Sequence, residues 1–304
     1  MSELTADTGA WGFGSFQKYS GNPIIEPTGE GWEAYSIYNP AAWTDGEKVY
    51  LLYRAEGPTE FPGRAFTSRI GLAVSEDGVH FTREARPVFE PTEDYEIPGG
   101  CEDPRLVRIG GVFYMTYTAF DGTTPRLAMA VSRDLHNWEK RGPLFPERGW
   151  TKSGAILAEP VDGYYWMYFG DSNLWTARSK DLEHWELIEE PALAPREGHF
   201  DSRLVEAGPP PIATSQGIVL IYDSADDNLR YSVGQALFQP SALGGCVRRS
   251  STPILEPETV YENEGQVPQV VFAEGLVQFK GKWLLYFGMA DSRIGLATSE
   301  SLRE

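Results

Sequence analysis

One phrase recurs along this chain and limits what it can fold into. An aromatic-rich strand and a short turn lead to a strand ending in Ala-x-Ser, followed by an Asp, an aromatic residue and a proline-bracketed strand. The first copy reads VYLLYRAEG, RIGLAVSEDGVHF, RPVFEP; the second FYMTYTAFDG, RLAMAVSRDLHNW, GPLFP; the third YYWMYFGDSN, LWTARSKDLEHW, PALAP. A more divergent fourth reads IVLIYDSADDN, RYSVGQALF, TPILEP. The fifth begins WLLYFGMADS, RIGLATSESL and lacks its bracketed strand, while a spare one, NPIIEP at 22–27, stands near the start. Short strands of period-2 alternation with Gly, Asp and Asn turns, and no sustained 3.6-residue period, exclude a helical protein. The expectation is an all-β fold: a five-bladed β-propeller closed by an N-terminal strand completing the last blade, as one domain over residues 1–304. A sandwich of similar strands has no ring to close and does not explain the spare segment. Residues 241–244 and the extreme C-terminus are expected to form short turns.

The charge narrows the partners. Lys plus Arg number 26 and Asp plus Glu 44, a formal net charge of −18. Such a surface repels nucleic acid and anionic lipid, so neither is expected as a partner; homo-oligomerisation stays open. No apolar run approaches the ~20 residues needed to span a bilayer. The opening MSELTADTGAWG lacks the basic and apolar regions of a secretory signal, so the expected location is cytoplasmic. Cys101 and Cys246 are too few for a disulfide framework. Of the histidines, His80, His136 and His184 fall in the repeated phrase, and with His199 they show no metal-ligand spacing. Neither metal nor cofactor is expected.

The segments before the aromatic-rich strands should line the axis: IYNPAAW, GGCEDPRLV, TKSGAILAEP, RLVEAGPPPIAT and GQVPQVVFAEGLV. They carry Asn39, Glu102, Asp103, Arg105, Lys152, Glu159, Glu206, Gln266, Gln269 and Glu274. Carboxylates in such apolar settings need partners or a purpose. Glu102 with Arg105 fits an internal ion pair as well as a ligand role. Asp103, between Gly99-Gly100 and Pro104, sits on a kinked chain that projects its carboxylate. Asp77, Asp134 and Asp181 recur in step with the repeat and read as turn formers; Trp138 and Trp185 read as core. Paired carboxylates are what glycosidic cleavage needs, one to protonate the leaving oxygen and one to activate the attacking group. The same carboxylates also suit a non-catalytic sugar binder.

The runs GGCEDPRLV, HFDSRLVEAGPPPIAT, TPILEPETVYENEGQVPQVVFAEGLV and YFGMADSRIGLA resemble glycoside hydrolase family 130 over nearly the whole chain. That resemblance implies cleavage of β-mannosides with inversion, by phosphorylases that release mannose 1-phosphate or by a smaller hydrolytic branch. By motif, Asp103 matches the general acid, which acts through a hydroxyl of the mannose ring, and Asn39, Arg54, Arg69 and Asp291 match sugar-holding positions. Glu102, Arg105, Lys152 and Asp201 complete the candidate substrate-binding set. Phosphorylases carry a Lys in the third repeat and a His-Arg pair on its aromatic strand. Here Lys152 remains, but Phe169 and Gly170 replace the pair, and Glu206 stands where phosphorylases have Gly. The expectation is therefore a hydrolase of short β-1,2-linked manno-oligosaccharides, with Glu206 as general base and Glu159 as second candidate. A phosphorylase using inorganic phosphate as co-substrate is the alternative.

Overall fold

A computed structural model describes residues 11–239 and 245–303. The turns expected at 241–244 lie outside the described residues, and Leu302–Arg303 forms a short strand against Gly12–Phe13. The fold is all-β; the helical pieces among the described residues are the single turns Gly31–Glu33 and Val260–Asn263. Among the described residues no helix is long and apolar enough to cross a membrane. The aromatic-rich phrases become interior strands buried on both faces. In Val49–Gly57, for example, Leu51, Leu52, Tyr53 and Ala55 are all fully buried. Near-continuous apolar sequence is what such strands require.

Each repeat is an antiparallel meander. Ser36–Thr44, Val49–Gly57, Thr67–Ser75 and Thr82–Arg83 form the first; Gly100–Ile109, Val112–Phe120, Pro125–Ser132 and Trp138–Pro143 the second. The third runs Ala155–Ile156, Tyr165–Phe169, Leu174–Ser179, Glu186–Leu193. Leu204–Ala207, Gly217–Ala225, Tyr231–Phe238 and Cys246–Arg249 make the fourth, with Ile212–Thr214 beside them. Val271–Phe279, Lys282–Met289 and Arg293–Ser299 make the last, and Gln17–Lys18 pairs with its outer strand.

This pairing corrects the expected five-bladed propeller closed by a completing strand. The first and second repeats are not separate blades but one eight-stranded sheet, joined by a parallel pairing of Ser68 with Gly100. Gly100 makes that approach possible: a Cβ there would lie 2.2 Å from the Ser68 carbonyl oxygen. Among the described residues no sheet closes on itself. The first and last repeats meet through side chains, Ile37, Leu51 and Tyr53 against Val277, Tyr286 and Leu296, plus one Ile37 N–H to Ser292 carbonyl bond. NPIIEP does not supply a ladder strand either. Its two prolines have no N–H to donate; its backbone meets Arg293–Ser299 at Ile294, through Ile24 and Ile25, and the Asn22 side chain bonds the Leu296 backbone.

Two side-chain devices recur with the repeats. Asp77, Asp134 and Asp181 each accept two backbone N–H bonds at 2.8–2.9 Å from the residues two and three positions on, as turn formers do. The second device was not anticipated. After four of the five proline-bracketed phrases, GPLFP being the exception, a buried acid meets a cation from an outer strand: Glu33 with Arg83 at 3.0 Å, Glu96 with Lys140 at 2.5 Å, Asp201 with Arg249 at 2.6 Å, Glu262 with Lys18 at 2.8 Å. In the first three a tyrosine hydroxyl donates as well, from Tyr53, Tyr117 and Tyr222. Burial, followed by the neighbouring carboxylate, drives the Tyr53 hydroxyl far above its ordinary pKa.

Candidate active site

The inner strands are bulged where polar residues must turn inward. Registers slip between Tyr38 and Ala41 and between Glu102 and Arg105. At these points Asn39 (φ 48°) and Asp103 (φ 49°) adopt the left-handed conformation, each followed by a proline. Proline removes the ladder donor at the slip, and Asn and Asp are the non-glycine residues that tolerate this region best. Bulges of this kind re-aim a side chain. Ser153 (φ 58°), Gln269 (φ 61°) and Asp291 (φ 49°) share the conformation.

Asp103, 6% exposed, accepts hydrogen bonds at Oδ1 from Asn39 Nδ2 (3.0 Å) and Arg54 Nη1 (3.2 Å). Arg54 is the hub. Its Nη2 also reaches Glu56 (2.8 Å) and Glu102 (3.0 Å), its Nε donates to Ser68 (3.2 Å), and its guanidinium lies 4.8 Å over the Tyr38 ring. Across from it Lys152 Nζ lies 3.0 Å from Glu206 Oε1, an oxygen that also accepts from Ser153.

Acids outnumber bases here. Glu56, Glu102, Asp103, Glu206, Asp223, Glu274 and Asp291 face Arg54, Arg105 and Lys152. The protonation follows. Burial pushes Glu102 up to about 7, with Asp103 and Glu56 adding to the rise against Arg54. Burial likewise lifts Asp291 to about 7 and carries Asp223 and Glu274 well above the carboxylate range. Burial alone would raise Asp103 too, but Arg54, Lys152 and Asn39 outweigh it and hold its carboxyl below the usual value. Lys152 loses to burial and gains more from Glu206 and Asp103, so it stays cationic.

Beside Asp103, Asn39 Oδ1 and Glu56 Oε2 are buried acceptors without a donor. Gly288 leaves room for the first, since a Cβ there would stand 2.3 Å from Asn39 Oδ1. Orphan acceptors in a polar hollow suit sugar hydroxyls, which can donate to each.

The expected residues divide on inspection. Asn39, Arg54, Glu102, Asp103, Lys152, Glu206 and Asp291 belong to one electrostatic cluster. Glu159 does not: it is exposed in the bend that follows Ala155–Ile156. Arg69 turns to Glu90 at 3.3 Å, and Asp201 belongs to the outer acid–cation device with Arg196 and Arg249. Arg105 is not paired with Glu102; it is buried behind Asp103 and meets Glu274 at 3.1 Å. Glu56, Tyr38, Ser153 and Asp223 were missed. Glu56 was findable, because in YRAEG it shares a strand face with Arg54 two residues earlier.

The sequence profile of a family described as beta-1,4-mannooligosaccharide phosphorylase matches residues 18–303. A 1,2-beta-oligomannan phosphorylase of Thermoanaerobacter sp. (strain X514) is 36% identical over 93% of this chain and 97% of its own length. A beta-1,2-mannobiose phosphorylase of the same organism is 36% identical over 93% and 96%. A solved structure presented as "The GH130 family of mannoside phosphorylases contains glycoside hydrolases that target beta-1,2 mannosidic linkages in Candida mannan" superposes with TM-score 0.90 at 37% identity, covering 97% of this chain and 99% of that one. Matched in profile, in sequence and in fold across almost its entire length, the chain belongs to glycoside hydrolase family 130.

Proposed function

We propose that this chain cleaves short β-1,2-linked manno-oligosaccharides by phosphorolysis, releasing mannose 1-phosphate. The observation that carries the cleavage reading is Asp103: one carboxylate aimed by a bulge into a hollow of orphan acceptors, within the field of Arg54 and Lys152. A mannose seated on Asn39 and Arg54 presents its ring hydroxyl to Asp103. The proton passes through that hydroxyl to the glycosidic oxygen, the C1–O bond breaks, and a phosphate oxygen bonds C1 from the opposite face. Asp103 is ionised in the free protein, so it takes up a proton as the sugar binds; Glu102 and Asp291, which bind protons up to about pH 7, supply it, and solvent restores them. What supports phosphate as the acceptor is the activity of the Thermoanaerobacter relatives, together with the cationic Lys152 beside the acid. This reverses the order expected from sequence.

Water as the acceptor is the second reading, and Glu206 favours it. Its carboxylate already occupies Lys152 and Ser153 and would repel a phosphate dianion. Incubating the protein with β-1,2-mannobiose, with and without inorganic phosphate, separates the two. Phosphorolysis gives mannose 1-phosphate and mannose, and only with phosphate present. An equal rate without phosphate, yielding mannose alone, reverses the assignment.

A further inference from the structure

Arg105 is the largest side chain that the fold buries almost completely, at 2% exposure. Its Nη1 donates to the backbone carbonyl of Asp103 (3.2 Å), the residue in the left-handed bulge. Its Nε donates to the carbonyls of Ala207 (3.1 Å) and Gly208 (3.0 Å), and its Nη2 to Ala207 again (2.6 Å). Ala207 directly follows Glu206. One planar guanidinium therefore ties the strand that carries Asp103 to the strand that carries Glu206. Glu274, fully buried on a third strand, places its Oε1 3.1 Å from Nη2. Arg105 spends these donors on backbone carbonyls, not on Asn39 or Arg54.

We infer that Arg105, held by Glu274, is a positioning residue that fixes the Asp103 carboxyl relative to the glycosidic oxygen and sets its separation from Glu206. The rigid fork is the reason for arginine, since several carbonyls on two strands are met by donors at fixed angles. A lysine ammonium at this site keeps the charge and loses the fork. The inference rests on the reading of Asp103 as the acid, and its consequence is specific. Misplacing an acid hurts substrates whose leaving group needs a proton and spares those whose leaving group does not.

The test compares β-1,2-mannobiose with 4-nitrophenyl β-mannoside, in wild type, Asp103→Asn, Arg105→Lys and Glu274→Gln. For Arg105→Lys, kcat on mannobiose should fall about 10-fold or more, part of the ~10²–10⁴ that a general acid supplies. KM should stay within about twofold, and the nitrophenyl substrate should lose far less. Glu274→Gln, which keeps the shape and an acceptor, should show the same split more weakly, so a poorly folding lysine variant does not end the test. If both substrates lose equally, or neither does, the positioning role is wrong. If Asp103→Asn itself shows no leaving-group dependence, the acid assignment fails instead.

Discussion

Carboxylates are buried in two zones of this molecule, and the zones are built on opposite principles. In the outer circuits each acid is supplied with donors, though Glu262 receives all of its own at one oxygen. Glu96 accepts from Tyr117, Lys140 and two backbone N–H groups, and Asp201 from Arg196 and Tyr222 with Arg249 beside it. In the hollow, acids outnumber cations, oxygens of Asn39 and Glu56 lack donors, and several residues sit at positive φ. Breaking a satisfied pair leaves an uncompensated charge and costs stability. Removing a carboxylate from a crowded one relieves repulsion. Burial of charge is therefore no guide to function by itself; the imbalance is.

The sharpest way to break this comparison is a pair of substitutions read by the same two measurements. Asp103→Asn should lower turnover of mannobiose by ~10²–10⁴-fold, with only a modest fall in the thermal midpoint, because Asn keeps the shape but loses the charge that Arg54 and Lys152 favour. Glu96→Ala should do the reverse, destabilising by about 3 kcal/mol with turnover of the folded protein close to wild type. If both variants lost activity and stability together, the two zones would be one.

A smaller effect concerns pH. Glu102 binds its proton up to about 7 in the folded protein, whereas an unfolded glutamate releases it near 4.5. Between those values the native state holds more protons than the unfolded one, so raising the pH weakens the fold. Stability measured by denaturant should decline across that window, and Glu102→Gln should flatten the decline. A slope untouched by this variant would place the buried proton elsewhere. Smallest of all is Glu159→Gln on the exposed bend. Its expected changes are below ~0.5 kcal/mol in stability and none in turnover; a clear loss of kcat would restore it as a catalytic candidate.

Much of this could be read in advance, and the exceptions share a cause. The repeated phrase placed the strands, and the polar residues before them named Asn39, Asp103, Lys152 and Glu206. What escaped depends on register and on contacts between repeats. Nothing local says that Gly100 lies against Ser68, so the first two repeats looked separate. The outer acids had a signal that went unused: Pro27 to Glu33, Pro91 to Glu96, Pro195 to Asp201 and Pro257 to Glu262 have nearly constant spacing. Without it, Asp201 looked like a sugar ligand. Arg105 looked like a partner for Glu102 because the true partners, Arg54 for the glutamate and Glu274 for the arginine, come from other strands that no local sequence brings together.

The bulge at Asp103 also restricts what can replace it. A backbone held at φ 49° ahead of Pro104 admits Asp, Asn and Gly readily and most other side chains at a cost. Glutamate, the usual conservative exchange, is penalised twice, by reach and by conformation. Anyone redesigning the chemistry at this point works with a three-letter alphabet in which only one letter carries a proton. New reactivity would have to be introduced at neighbours such as Arg54, Glu102 or Glu206, where the backbone imposes no such spelling.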